Sequence, residues 1–210
     1  FKRRYIKKKK TTTKDVPVLL GKVKGSRIQL EYHRFKGKSD GPLLQQKDLI
    51  LANTDFQAEN WSIGKKVKGT LSRFSTEINR TEKVRSGFLD VEMQADRIWV
   101  KKIHLRSSTA IAKGSIQVTG KGEKQRIDAR FDSLFIRNNA LQKWATVDVP
   151  FRRNALLKGS FVVESHSAKA KNLMVVLDGK PSISGNFLVK NWEDVNRLQV
   201  EASRAKMDLN

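Results

Sequence analysis

Apolar and polar residues alternate along most of this chain with a period of two. In Arg27-Ile-Gln-Leu-Glu-Tyr32, Ile28, Leu30 and Tyr32 fall on one side and Arg27, Gln29 and Glu31 on the other. That is the pattern of a strand with one buried face. The same alternation predicts strands at 48–51, 55–63, 67–78, 88–95, 98–105, 111–118, 127–136, 157–163, 173–177, 183–189 and 198–209. Turn-prone pieces separate them: Lys36-Gly-Lys-Ser-Asp-Gly-Pro42, Gly120-Lys-Gly122, Asp178-Gly-Lys-Pro181 and Asn191-Trp-Glu-Asp194, in which Gly, Asn or Pro accommodates a reversal. One stretch predicts a helix. Asn138-Asn-Ala-Leu-Gln-Lys-Trp-Ala145 opens on a capping residue, places Leu141 and Trp144 on one face, and is followed by Pro150. Two turns of helix are marginal alone, so this one is expected to dock on the sheet.

The strands repeat in pairs. Ile103-His-Leu105 followed by Gly114-Ser-Ile-Gln-Val118 matches Leu173-Met-Val175 followed by Gly185-Asn-Phe-Leu-Val189. Gly159-Ser-Phe-Val-Val163 behind Leu134-Phe-Ile136 is a further copy with the short helix inserted, and Asp48-Leu-Ile-Leu51 and Arg197-Leu-Gln-Val200 echo the first half. A hairpin cannot bury its apolar face alone, so stacked copies imply an elongated, curved, all-β antiparallel repeat sheet. The expected organisation is a basic arm or linker over 1–25, a β-repeat segment over 26–125, and a second over 126–210 that carries the helix.

Charge adds a second feature. Lys and Arg number 43 against 21 Asp and Glu, a formal +22, which favours anionic partners. Residues 1–38 hold 14 basic and 2 acidic side chains, so 14 − 2 = +12 of that charge sits there. Phe1-Lys-Arg-Arg-Tyr-Ile-Lys-Lys-Lys-Lys10 has neither helical nor strand period. Lys7, Lys8, Lys9 and Lys10 are therefore candidates for contact with an anionic surface, lipid headgroups or nucleic acid, beside the plainer reading of a solvated linker. The absence of cysteine removes disulfides and thiolate chemistry and suits an oxidising compartment without requiring one. No run approaches the roughly 20 apolar residues of a spanning helix.

The inventory nominates no catalytic, cofactor or metal site. His33, His104 and His166 stand apart, with no second histidine at metal-ligand spacing. Neither a nucleophile elbow, a phosphate loop nor a dinucleotide fingerprint is present. A nucleic-acid-binding β-protein is a rival, given pI ≈ 10.4, four Trp and ten Phe. Most aromatics nevertheless fall at apolar strand positions, and no recognition-helix or ribonucleoprotein pattern occurs. A passive structural or protein-interaction scaffold is the other alternative.

From about residue 45 to 210 the chain resembles the TamB family, within the AsmA-like superfamily, and particularly its long versions from Bacteroidetes-like bacteria. The resemblance lies in Lys158-Gly-Ser-Phe-Val-Val163, Ala170-Lys-Asn-Leu-Met-Val-Val-Leu177, Ser182-Ile-Ser-Gly-Asn-Phe-Leu-Val-Lys190, Asn191-Trp-Glu-Asp194 and Met207-Asp-Leu209. Asp128-Ala-Arg-Phe-Asp-Ser-Leu-Phe-Ile136 and Ser86-Gly-Phe-Leu-Asp-Val-Glu-Met-Gln-Ala95 continue it. It implies a periplasmic β-groove anchored in the inner membrane by a segment outside this chain. Its implied partners are phospholipid acyl chains and, through other regions, an outer-membrane TamA-type barrel; its implied role is phospholipid transport between the membranes, outer-membrane protein assembly, or both. The high positive charge departs from the family pattern. On strict alternation Ile103, Leu105, Ile116 and Val118 share a side, as do Leu173, Val175 and Leu177, and Ile183, Phe187 and Val189. These ten residues are the candidate groove lining, with ordinary core as the competing assignment.

If the basic arm meets anionic headgroups, replacing Lys7, Lys8, Lys9 and Lys10 together by Gln weakens binding to anionic vesicles at low salt and leaves the thermal midpoint unchanged. Vesicle co-sedimentation checks this, and unchanged binding assigns the arm to a linker role.

Overall fold

The computed structural model describes residues 17–33, 48–138, 140, 153–191 and 195–208. Eleven strands form one antiparallel sheet in which each strand pairs with the next in sequence: β1 (Val18–His33), β2 (Asp48–Ile63), β3 (Lys66–Ile78), β4 (Glu82–Gln94), β5 (Arg97–Ser107), β6 (Ala110–Thr119), β7 (Arg126–Ile136), β8 (Ala155–Glu164), β9 (Ser167–Leu177), β10 (Lys180–Lys190) and β11 (Gln199–Met207). The sheet is curved and open, with no closed barrel. One-turn 3-10 segments at Gly122–Lys124 and Val195–Arg197 lie in connections. Of the helix expected over 138–145, only Asn138 and Ala140 are among the described residues.

Several boundaries differ from the alternation. β1 starts at Val18, so 18–25, expected in the arm, are strand. The runs 48–51 and 55–63 are a single strand, because a bulge at Asn53 (φ 50°) interrupts the alternation without ending the pairing. The sheet also passes 125/126 without a break, since β6 and β7 pair along their whole length.

Bulges organise the sheet. β5 takes three residues from Val100 to Ile103 where β6 takes two from Ile116 to Gly114. β7 does the same from Phe131 to Leu134 against Gly159 to Leu157 of β8, and β11 between Ala202 and Lys206 against β10. Each extra residue flips the parity of its strand while the partner keeps its own, so apolar side chains return to one face on both sides of the bulge. Opposite the bulges stand the repeated glycines. Gly159 (φ 141°) and Gly185 (φ 136°) occupy backbone that other residues avoid. A Cβ at Gly185 meets the Ala205 Cα at 2.7 Å, and one at Gly114 meets the Arg130 carbonyl oxygen at 2.0 Å. Bulged amides find side-chain acceptors one strand over: Arg27 N–H donates to Asp55 Oδ1 (3.0 Å) and Asn172 N–H to Asn186 Oδ1 (2.8 Å).

Hairpin ends are tied in series. Asn79 N–H donates to the Ile50 carbonyl (2.8 Å), Ser108 to Lys83 (2.8 Å), Arg137 to Thr109 (2.9 Å), Asp178 to Asn154 (3.0 Å) and Asp208 to Ser182 (2.8 Å). Each link joins the end of an odd-numbered strand to the start of the even-numbered strand before it, so the repeating unit is a two-strand hairpin. Burial concentrates at this end, where Thr54, Thr76, Glu82, Val84, Thr109, Ala155 and Ser182 are buried. The Thr54 and Thr76 hydroxyls share a 2.8 Å hydrogen bond there.

Gly159→Ala and Gly185→Ala each combine an unfavourable φ with a backbone contact and are expected to destabilise the sheet by about 2–4 kcal/mol. Gly21→Ala, whose Cβ meets nothing within 4 Å, is expected to change stability by about 0.5 kcal/mol or less. Urea denaturation of the three variants reads the difference; equal losses contradict the bulge-glycine account.

Candidate functional site

Cross-strand partners share a face, so the register can be followed from strand to strand across the whole sheet. One row runs Gly25, Phe56, Phe74, Gly87, Leu105, Ala112, Leu134, Leu157, Val175, Ile183, Met207 and touches all eleven strands. Beside it Val23, Ala58, Leu71, Leu89, Ile103, Gly114, Phe131 and Gly159 are paired in turn, and Leu173 pairs with Gly185. A third row leads from Gly69 through Val91, Val100, Ile116, Ala129, Phe161, Ala170 and Phe187 to Ala202. The fourth leads from Val67 through Met93, Ile98, Val118, Ile127, Val163, Ala168 and Val189 to Val200. Every position in these rows is apolar or glycine. Large side chains settle over glycines of the neighbouring strand: a Cβ at Gly25 runs into the Phe56 ring, one at Gly69 into the Trp61 indole, and one at Gly87 into Leu105.

The rows form a belt. Ten interstrand spacings of about 4.8 Å make it roughly 48 Å long, and three two-residue steps of about 6.6 Å make it roughly 20 Å wide. Among the described residues, strand backbones come close to one another in substantial number only between sequence neighbours. Of apolar side chains among the described residues, only Ala58, Val84, Ile103, Ala140 and Ala155 are buried. At the sheet edges exposure is large, with Leu19 at 74%, Val200 at 62% and Met207 at 60%.

All ten candidate lining residues lie on this face. Ile103 is buried, and Leu105, Ile116, Val118, Leu173, Val175, Leu177, Ile183, Phe187 and Val189 are half-buried. Two repeats nominated them; the belt also takes in Val67, Met93, Val91, Phe161 and others whose alternation was legible but whose register across bulges was not. Lys7, Lys8, Lys9 and Lys10 lie outside the described residues.

The opposite face carries the charged clusters, beside an apolar row of Ile111, Phe135, Leu156, Val176 and Pro181. Glu92 is 5% exposed and receives Lys66 Nζ at 2.7 Å, Arg97 Nη2 at 3.0 Å and Lys101 Nζ at 2.7 Å. The Lys101 ammonium first, then that of Lys66, hold its carboxyl down at about 2 against the opposing effect of desolvation. Trp99, opposite Glu92, lies under Lys101 Nζ at 5.0 Å and Arg97 Cζ at 6.0 Å from its ring centre. Arg126 bridges Asp128 and Glu164, both at 2.9 Å, and Lys190 meets Glu201 at 2.7 Å. Glu82 is the most enclosed acid. Burial raises its carboxyl, but the hydroxyls of Ser107, Ser108 and Thr109 and the Thr109 amide outweigh burial and leave it below its usual range. These acids are isolated in sequence, so the alternation gave no sign of their partners. His104 lies on the polar face opposite Lys113, and His33 Nδ1 sits 2.7 Å from Asp48 Oδ1. Among the described residues no three His, Asp or Glu side chains gather to hold a metal ion, and no helix is long and apolar enough to cross a membrane.

No family model, curated protein or solved structure matches this chain.

Because the Glu92 carboxyl is depressed, its ion pairs add stability that is complete above its ordinary pKa of about 4.3 and is lost as pH falls toward about 2. Glu92→Gln removes that part of the acid limb, so parent and variant converge in denaturant midpoint as pH drops. A constant gap from neutral pH to about pH 2 contradicts the assignment.

Proposed function

We propose that this chain is a periplasmic segment of a TamB-like, envelope-spanning protein whose apolar sheet face conducts phospholipid acyl chains between inner and outer membranes. The observation that carries the reading is the apolar belt, one row of which crosses all eleven strands while two more run from β3 to β11. Its direction matters as much as its composition. Apolar rows run across the strands, so each added hairpin lengthens the belt by about 10 Å and leaves its width unchanged. An extended acyl chain is about 15 Å, half of a hydrocarbon core about 30 Å thick, and fits within the belt's roughly 20 Å width. The repeated Gly-x-apolar-x-apolar motif at Gly114, Gly159 and Gly185, the last two within stretches that resemble the family, marks the positions where glycine faces a bulge. The resemblance and the geometry thus draw on the same residues.

Conduction in this scheme requires no chemistry. Acyl chains exchange water for Val, Leu, Ile and Phe side chains at about 25 cal/mol per Å² of surface covered, with similar contacts from row to row. The same face suits the alternating apolar strands of outer-membrane proteins in transit, and delivery to a TamA-type barrel is the second part of the proposal. In such a protein the membrane anchor and the barrel contact belong to other regions.

The test places a photo-crosslinking residue at Val175 or Phe187 in cells and analyses the adducts for phospholipid. Adducts at these positions, and none at Lys171 or Lys190 on the polar face, are expected. Their absence in a folded protein contradicts conduction and leaves the scaffold reading. Val175→Arg and Phe187→Arg are expected to preserve the strand signal in circular dichroism, since an open face lets the guanidinium reach water, while lowering adduct yield at neighbouring belt positions. In a closed core the same change costs several kcal/mol and unfolds the segment.

A further inference from the structure

On the polar face, behind the bulge of β5, the sheet surface sinks into a concavity of about 470 Å³ lined by Lys101, Lys102, His104, Lys113, Arg130 and Asp132. The extra residue in β5 places two consecutive lysines, Lys101 and Lys102, in the lining, with Gly114 of β6 beside them. A larger cavity of about 670 Å³ beside Phe56 and Phe74 is lined by three cations, Lys24, Arg73 and Arg85, against four in the smaller one.

The charge count in the smaller concavity is one-sided. Lys101, Lys102, Lys113 and Arg130 contribute four positive charges; Asp132 contributes one negative, and Lys101 is committed to Glu92 at 2.7 Å. The remainder is 4 − 1 − 1 = +2 with His104 neutral. Arg130 holds Asp132 only at 3.5 Å, and the Lys102 ammonium rests 5.4 Å from the Phe88 ring centre instead of on a carboxylate. Ser115 adds a hydroxyl at the wall. Flexible ammonium donors and a planar guanidinium, spread over three neighbouring strands about 10 Å across, match the three oxygens of a phosphate group.

We propose that this concavity is a phosphate-binding site, occupied by the phosphate of a soluble ester or of a lipid headgroup on a membrane surface that the polar face approaches. It lies on the opposite side of the sheet from the apolar belt, so its occupant is not the headgroup of a chain lying in that belt, and the site stands or falls independently of lipid conduction.

The experiment measures binding of the full chain at fixed ionic strength to inorganic phosphate by calorimetry and to phosphatidylcholine vesicles with or without phosphatidylglycerol by co-sedimentation. Lys102→Gln/Lys113→Gln/Arg130→Gln is compared with Lys68→Gln/Lys121→Gln/Lys124→Gln, which removes the same charge elsewhere. The expected result is an affinity loss of about tenfold or more for the first variant and little change for the second. Phosphate binding identifies a soluble ester as the source, and binding only to vesicles with phosphatidylglycerol identifies a headgroup. Equal losses in both variants reduce the effect to net charge and overturn the site, as does the absence of binding to either probe. Circular dichroism of both variants confirms that the sheet is intact.

Discussion

Backbone hydrogen bonds between consecutive strands carry this fold, because among the described residues strand backbones come close in substantial number only to those of their sequence neighbours. Each ladder bond contributes only about 1 kcal/mol net. Side chains add to it through neighbours in the same row, where a cross-strand apolar pair contributes about 0.2–1 kcal/mol. Stability is therefore lateral: a strand is held by the strands on either side of it, as a repeat is held by its neighbours. Two consequences follow. The sheet can be long without becoming thick, and its apolar surface remains largely on the outside.

That arrangement demands a constant face across every strand. A single slip sends a strand's apolar set to the polar side, and in strands of up to sixteen residues twist and curvature accumulate enough to require bulges. The bulges of β5, β7, β9 and β11 fall in one zone across the sheet, with Gly114, Gly159 and Gly185 opposite. Glycine is needed there by the approach of the neighbouring backbone, and at Gly159 and Gly185 by φ as well. The repeated Gly-x-apolar-x-apolar motif is thus the sequence trace of a bend.

Much of this was legible from alternation. The existence, order and antiparallel pairing of nearly every strand followed from period-two runs and turn residues, and the ten candidate lining residues share one face. What alternation hides is what breaks it. Asn53 made one strand look like two, and the parity change in β7 at Asp132 and Ser133 could not be distinguished from an irregular strand. Residues 18–25 read as part of a basic arm because Lys22 and Lys24 lie among Val18, Leu20 and Val23, although those apolar residues pair with Ile63, Trp61 and Ala58. The ion-pair cluster at Glu92 and the basic concavity at Lys102, Lys113 and Arg130 combine residues from strands far apart in sequence. Only the register brings them together.

On the described strands the charged clusters at Glu92, Arg126 and Lys190 lie on the face opposite the belt. This account rests on the belt being open in the folded protein. The chain has no cysteine, so a single cysteine introduced in place of Ala129 or Phe187 reports on the belt alone, and one introduced in place of Ser160 on the polar face serves as reference. With the fold intact and no lipid present, the account predicts that the belt cysteines react with a small water-soluble maleimide at rates near that of the polar-face reference and slow when lysophospholipid is added. Strong protection of the belt positions without lipid would mean that the face is already covered, and would contradict it.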